Sequence, residues 1–340
     1  MDTRDNSTRH SRTRLLTPVL LSILVALCVG ASGFAEAGSA APQATVRTWT
    51  IHYTAHNGTD RRAYVVLPTW YGPKKNPSIP IIISPHGRNA TGLSNTKYFG
   101  NLPAVGRFAV ISPDGMGRRL ALKSYAYEGQ IDDLAKMPDF AERALPWLHL
   151  DRSRVYALGS SMGGHETLML VARYPDLLAG AVAMDSVTDL ARRYQQIPDT
   201  ACDKTCLKHW GKPYGLVLQA AMREEVGGTP SQKPKAYEAR SPVAFAHTIA
   251  LSRVPLQIWW STADKIVTDQ KNQSGTLFRM LCRLDPDAPV SAYTGRWPHS
   301  KEMRASQLLP IALKGLGLLP TSTKRLPSSV SYQTAPTQDM

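Results

Sequence analysis

The chain has 340 residues, enough for one large α/β domain or two small ones. Lys and Arg number 40 against 26 Asp and Glu, a formal net charge of +14, scattered rather than striped. No interleaved basic and aromatic module supports nucleic-acid binding, so no nucleic-acid partner is expected; the charge reads as a solvated basic surface able to cling to anionic walls or polymers.

The first 37 residues do not read as fold. Arg4, Arg9, Arg12 and Arg14 precede an apolar run at 15–29, then small residues and Ala35-Glu36-Ala37. That is the order of a secretory signal cleaved after Ala37. Pro18, and a run shorter than the roughly 20 apolar residues of a spanning helix, argue against a permanent anchor. There is no Arg-Arg pair for twin-arginine export, and Leu27 is too large for a lipoprotein site at Cys28. A secreted protein without stable membrane insertion is expected.

Downstream, Trp49, Ile51 and Tyr53 alternate with polar neighbours and predict a half-buried strand over 45–53. Asn57-Gly58 marks a hairpin, with the returning strand at 62–67. The continuous apolar runs 79–83 and 108–111 have the form of strands covered on both faces. Residues 133–145 read as helix, interrupted or started by Pro138. Further strands are expected at 179–184, 255–260 and 290–293, and helices at 268–284 and 300–316, the last bent or split at Pro310. Strands alternating with helices predict right-handed crossovers and a mostly parallel central sheet flanked by helices over 45–316. Leucine, proline and basic residues at about 190–253 break the rhythm and predict a small helical cap. Ser, Thr and Pro dominate 321–340, where a disordered tail is expected.

The chemistry centres on Gly159-Ser160-Ser161-Met162-Gly163. A strand-type run enters it, and Gly164, Leu168, Val171 and Ala172 recur at helical spacing after it. That is the form of a nucleophile elbow, with Ser161 in a strained conformation and Gly159 and Gly163 where a Cβ would strike neighbouring backbone. Met162 N–H then lies at the positive end of the new helix, aimed at a developing oxyanion. In the loop His86-Gly87-Arg88, the Arg88 N–H offers the second oxyanion donor; a plain turn is the alternative.

A serine needs a base, and the base needs a carboxylate to orient it. Asp264 follows the strand at 255–260 and His299 follows the strand at 290–293, giving the order Ser, Asp, His, each after its own strand. Asp185 also ends a strand and is the competing acid. His165 reads as a packed histidine and His86 as a shaper of its loop. His52, His56, His149, His209 and His247 have no assigned role. Trp259, Trp260, Trp297 and Tyr293 are candidate pocket walls, although strand aromatics more often serve the core. Cys202 and Cys206 are spaced for a disulfide, leaving Cys282 as a buried thiol; zinc would need more ligands than His209 supplies. No metal and no cofactor are expected.

The stretch Gly-Ser-Ser-Met-Gly-Gly with Arg173-Tyr174-Pro175-Asp176-Leu177-Leu178-Ala179-Gly180 resembles the α/β-hydrolase superfamily, and more narrowly the prolyl-oligopeptidase-like catalytic domain of peptidase family S9. Tyr237-Glu238-Ala239-Arg240-Ser241-Pro242, Ala263-Asp264-Lys265 and Trp297-Pro298-His299-Ser300 extend the resemblance. It implies Ser161 as nucleophile, Asp264 as acid and His299 as base. Two departures stand out. No β-propeller sequence precedes the domain, and His86-Gly87-Arg88 replaces the oxyanion tyrosine of those peptidases, as in esterases and polyester depolymerases. The expected activity is hydrolysis of small or polymeric carboxylic esters. The alternatives are an S9-like peptidase acting on short peptides and a non-catalytic wall- or polymer-binding protein; the complete Ser, Asp and His set argues against the last.

Overall fold

The computed structural model describes residues 45–115 and 125–335; the secretory signal expected at 1–37 lies outside the described residues. Strands β1 (Val46–Thr54) and β2 (Asp60–Pro68) form the predicted hairpin. Next come β3 (Ile79–Ile83), short helices α1 (Gly92–Thr96) and α2 (Leu102–Gly106), and β4 (Ala109–Pro113). Helices α3 (Glu128–Ala135) and α4 (Met137–Ala144) lead to β5 (Leu150–Ser160), α5 (Met162–Arg173) and β6 (Gly180–Met184). Helices α6 (Leu190–Gln196), α7 (Lys204–Trp210), α8 (Tyr214–Val226), α9 (Pro234–Glu238) and α10 (Ala246–Leu251) precede β7 (Leu256–Ser261). The rest is α11 (Ser274–Leu284), β8 (Val290–Gly295), α12 (Leu309–Gly315) and β9 (Ser331–Thr334).

The strands form one sheet in the order β1-β2-β4-β3-β5-β6-β7-β8-β9. From β4 to β8 every pairing is parallel, while the edge pairings to β1, β2 and β9 are antiparallel. All five residues of β3 are buried, as both faces carry helices. The faces sort with period two: Ile81, Ile83, Val155, Ala157, Ala183 and Ile258 enter one core, and Ile82, Val110, Leu158, Val182, Met184 and Trp259 the other. Each fully buried Ile, Val, Leu or Met side chain stabilises by about 1.5–3 kcal/mol. A one-residue slip would send every one to the wrong face, so register and strand ends are fixed. Those ends position the site.

Several boundaries differ from the sequence reading. Pro138 sits in the first turn of α4, where its missing N–H costs nothing, and α3 is a separate helix. Helix α11 begins only at Ser274, and α12 only at Leu309, with Pro310 in its first turn. The cap closes earlier than 253: Ala246, Ile249 and Ala250 of α10 join the main core, whereas Leu190, Ile197, Leu218, Met222 and Tyr237 form a separate small cluster. The tail expected to be disordered contains β9, which pairs with β8 and sets Tyr332 against Tyr293 at 4.9 Å between ring centroids. Its four residues are exposed, so backbone pairing on an open edge orders it rather than burial. Cys202 and Cys206 form the expected disulfide at the start of α7, and Cys282 is free and buried. Among the described residues no helix is long and apolar enough to cross a membrane.

Candidate active site

Between β5 and α5 the backbone makes the sharp turn the sequence demands. Ser161 has φ +59° and ψ −124°, a conformation that costs a side-chain-bearing residue roughly 1–3 kcal/mol. The surroundings hold it there. Ser161 N–H donates to Met184 O at 2.9 Å, and Ser161 O accepts from His165 N–H at 3.0 Å. A Cβ on Gly159 would stand 2.4 Å from the Gly163 carbonyl, and one on Gly163 would stand 2.2 Å from Pro85 O. The two glycines let strand, helix and the loop after β3 approach one another closely.

The histidine and its carboxylate come from the ends of β8 and β7, paired in register through Ser261 and Gly295. His299 Nδ1 lies 2.7 Å from Asp264 Oδ2. Asp264 Oδ1 accepts the N–H groups of Ile266 at 2.8 Å and Val267 at 3.0 Å, which fixes the plane of the carboxylate. The competing acid, Asp185, has other work. Its Oδ1 accepts Ser261 N–H at 2.8 Å, and its Oδ2 accepts Trp297 Nε1–H and Ser300 N–H, both at 3.1 Å. Residues on both sides of His299 are therefore tied to Asp185. Asp185, Asp264 and His299 bring potential ligating atoms within 4.8 Å of one another, and both carboxylates are already aimed at N–H donors.

Glu302, absent from the sequence reading, completes this layer. Its Oε1 lies 3.1 Å from Ser160 Oγ, which is 2.8 Å from Ser300 Oγ. Burial pushes the Asp185 carboxyl up to about 6, His299 pulling it down and Asp264 adding to the rise. Burial, then the neighbouring Asp185, holds Glu302 well above the ordinary carboxylate range. A second negative charge beside Asp185 is therefore disfavoured in this buried layer.

Ser161 and His299 open together on a cavity of about 290 Å³ that Met162, Arg88, Tyr125, Arg193, Tyr214 and Leu218 help to line. The loop after β3 lies against Ser161: a Cβ on Gly87 would reach 3.9 Å from Ser161 Cβ. His86 shapes that loop, as expected, with Nδ1 2.8 Å from Gly87 O and Nε2 accepting from Gly115 N–H at 3.2 Å. The Arg88 guanidinium forms a buried two-point pair with Glu225 of α8 and stacks over Tyr125 at 4.6 Å. This ties the loop to the cap. Burial lowers the pKa of Arg193, with Tyr125 and Asp264 opposing.

Other expectations resolve simply. His165 is fully buried with Nε2 2.6 Å from Arg240 O, and burial drives it down to about 4, so it is a neutral packing residue. His56 pairs with Asp133 at 2.7 Å, away from the cavity. The tryptophans do not wall the main cavity. Trp259 is buried and stacks on Tyr293 at 3.9 Å, Trp260 joins the main core, and the Trp297 indole serves Asp185. The aromatic walls are instead Tyr98, Tyr125 and Tyr214, which carry no strand signal in the sequence.

A family model described as the prolyl oligopeptidase family matches residues 114–215, the segment that contains the elbow. Among solved structures, the acylaminoacyl peptidase of Pyrococcus horikoshii is similar with a TM-score of 0.58 at 16% identity, over 77% of this chain and 39% of that one. Dipeptidyl peptidase 4 of Porphyromonas gingivalis is similar with a TM-score of 0.53 at 16% identity, over 80% of this chain and 35% of that one. S-formylglutathione hydrolase of Staphylococcus aureus gives 0.52 at 16% identity, over 75% of this chain and 90% of that one. The chain thus spans less than two fifths of the length of these two peptidases. With the sheet order, the elbow and the matched segment agreeing, the chain has an α/β-hydrolase fold and is similar over 114–215 to the prolyl oligopeptidase family.

Proposed function

We propose that this protein is a secreted carboxylesterase that works through a Ser161–His299–Asp264 triad. The observation that carries the reading is the strained Ser161 sharing a small cavity with a histidine whose Nδ1 is held by a fixed carboxylate. Asp264 fixes the proton of His299 on Nδ1, which leaves Nε2 as the base. Nε2 takes the Ser161 hydroxyl proton while Oγ bonds to the ester carbonyl carbon. The oxyanion is met by the N–H groups of Met162 and Arg88, the first at the positive end of α5. The carbon–oxygen bond to the alcohol then breaks, and His299 returns the proton to the departing alkoxide. Water, activated by the same Nε2, cleaves the acyl-enzyme to acid and free Ser161. The scheme draws on no metal or cofactor.

Esters are favoured over peptides because the cavity is small and lies at the low end of ligand-site volumes, whereas a peptidase must hold several residues in register. The match to the prolyl oligopeptidase family supports the second reading, a peptidase for short peptides. The test compares kcat/KM for unactivated short-chain esters, p-nitrophenyl butyrate and prolyl p-nitroanilide. Esters are expected to win by orders of magnitude, and Ser161→Ala to abolish turnover and fluorophosphonate labelling while the protein stays folded. Efficient anilide cleavage with inert esters would replace this reading by the peptidase one.

A further inference from the structure

Resting on the same cavity as the esterase reading, we propose that Arg193 makes it a carboxylate-recognising site, so that the preferred substrate is a small ester that itself carries a free carboxylate. Arg193 is 2% exposed, projects from α6 of the cap, and lines the cavity that holds Ser161 and His299. Among the described residues its one side-chain hydrogen bond is long, Nη2 donating to Thr200 Oγ1 at 3.4 Å. Its Nη1 is buried and has no hydrogen-bond partner among the described residues. A guanidinium stays charged in any protein setting, and a buried charge without a counter-charge is costly to keep.

The second arginine on the cavity wall shows what a neutralised guanidinium looks like here. Arg88 has the Glu225 carboxylate in a two-point pair, buried on both sides. Arg193 has nothing comparable. Asp264, a carboxylate that acts on Arg193 electrostatically, is committed to His299 and to two backbone N–H groups. A planar donor fork facing a small cavity matches a carboxylate in shape and charge. Tyr125, Tyr214, Val187 and Leu218 add ring faces, phenol hydroxyls and apolar surface, while the other lining arginine, Arg88, is already paired with Glu225. The cavity volume, about 290 Å³, accommodates a short chain between the reacting carbonyl and such a carboxylate. The net charge of +14 would favour the approach of an anionic ester.

The class that fits is a monoester of a short dicarboxylic acid, or an acyl ester of a hydroxy acid; both present one carboxylate beside one ester. Binding is read first, by calorimetry on the intact protein with glutarate and with glutaramide, its uncharged isostere. Glutarate is expected to bind at least tenfold tighter, and Arg193→Gln, checked for fold by circular dichroism, to cut that difference roughly 10- to 100-fold, as loss of a charge-assisted pair does. Turnover is read second, as the ratio of kcat/KM for monomethyl glutarate to that for dimethyl glutarate, with O-acetyl-lactate against its methyl ester as the other arm. The arm with the larger charged-to-neutral ratio tells whether the carboxylate belongs to the acyl or the alcohol side. Equal binding of glutarate and glutaramide by the wild type overturns the proposal, and that arm needs no variant. So does an Arg193→Gln protein that folds and keeps the full preference. Binding of glutarate without hydrolysis of any ester would sink the esterase reading and leave the carboxylate site standing.

Discussion

Replacing Asp264 by Asn tests the proposed triad most directly, because the structure fixes how the new amide must sit. The carboxylate gives Oδ1 to the N–H groups of Ile266 and Val267, at 2.8 and 3.0 Å. An amide in that place must turn its oxygen to the same two donors. Its NH2 group then occupies the Oδ2 position, 2.7 Å from His299 Nδ1. A donor there forces Nδ1 to accept, so the imidazole proton moves to Nε2, the atom that must take the proton of Ser161. Loss of the working tautomer in triads of this kind costs about 10³–10⁴ in kcat, equivalent to about 4–5.5 kcal/mol of barrier. The volume hardly changes, so Tm should stay within a few degrees of wild type. The assay is kcat on p-nitrophenyl butyrate near neutral pH, alongside differential scanning calorimetry. A folded Asp264→Asn enzyme within tenfold of wild type would refute the assigned pairing.

Gly163→Ala places a Cβ 2.2 Å from Pro85 O, so the elbow and the loop after β3 must separate. Overpacking of about 1–3 kcal/mol is expected, a Tm fall of roughly 3–10 °C by calorimetry, with kcat lost beyond it; an unchanged Tm would mean the two segments are not in contact. Mass spectrometry of the non-reduced protein should find Cys202 joined to Cys206, with Cys282 alkylated only after unfolding. Alkylation of Cys202 and Cys206 without reductant would contradict the bridge.

The parts legible in the sequence are those whose signal is local. An unbroken apolar run such as 79–83 can hardly be anything but a covered strand, and the elbow declares itself through glycines that a short segment can carry. Asp264 and His299 were within reach because each follows its own strand. Arg193 was not. It stands beside Arg192, identical in type, yet Arg192 pairs with Asp269 on the surface while Arg193 is buried in the cavity. Only the rotational phase of a seven-residue helix separates them, and that phase is set by the cap cluster rather than by local pattern. Glu302, and the supporting role of Asp185 (read from sequence only as the competing acid), escaped for a related reason. Their partners lie 76 to 142 positions apart along the chain, and meet because Ser300 turns with φ +58° and carries Glu302 under the elbow. Strand β9 was hidden because an exposed edge strand needs no apolar alternation.

That buried acid pair also sets how the domain answers pH. Asp185 and Glu302 both have folded-state values above their unfolded ones, so the folded protein holds their protons longer than the unfolded chain does. For such groups the stabilisation is fully present below the unfolded pKa and is lost as pH rises through the folded one. For Asp185, raised from 3.8 to about 6, the loss falls between roughly pH 4 and pH 6 and amounts to about 3 kcal/mol. Once Asp185 is ionised, the proton on Glu302 keeps a second negative charge out of the space beneath the His299 loop. Glutamine at 302 reproduces that protonated acid: its carbonyl can accept from Ser160 Oγ and its amide N–H can donate to Asp185. Glu302→Gln should therefore match wild type within about 1 kcal/mol at pH 5, near the unfolded pKa, and be the more stable by pH 7, whereas Glu302→Ala, which removes the Ser160 contact and leaves a void, should cost about 2–4 kcal/mol at pH 5. Toward alkaline pH the wild type must ionise Glu302 beside Asp185 and weakens further, and the glutamine variant does not, so its advantage grows. Denaturant titrations at pH 5, 7 and 9 measure all three proteins. A glutamine variant more than about 2 kcal/mol less stable at pH 7, with the gap widening at pH 9, would mean that Glu302 is already ionised and holds the loop as a charged acceptor instead.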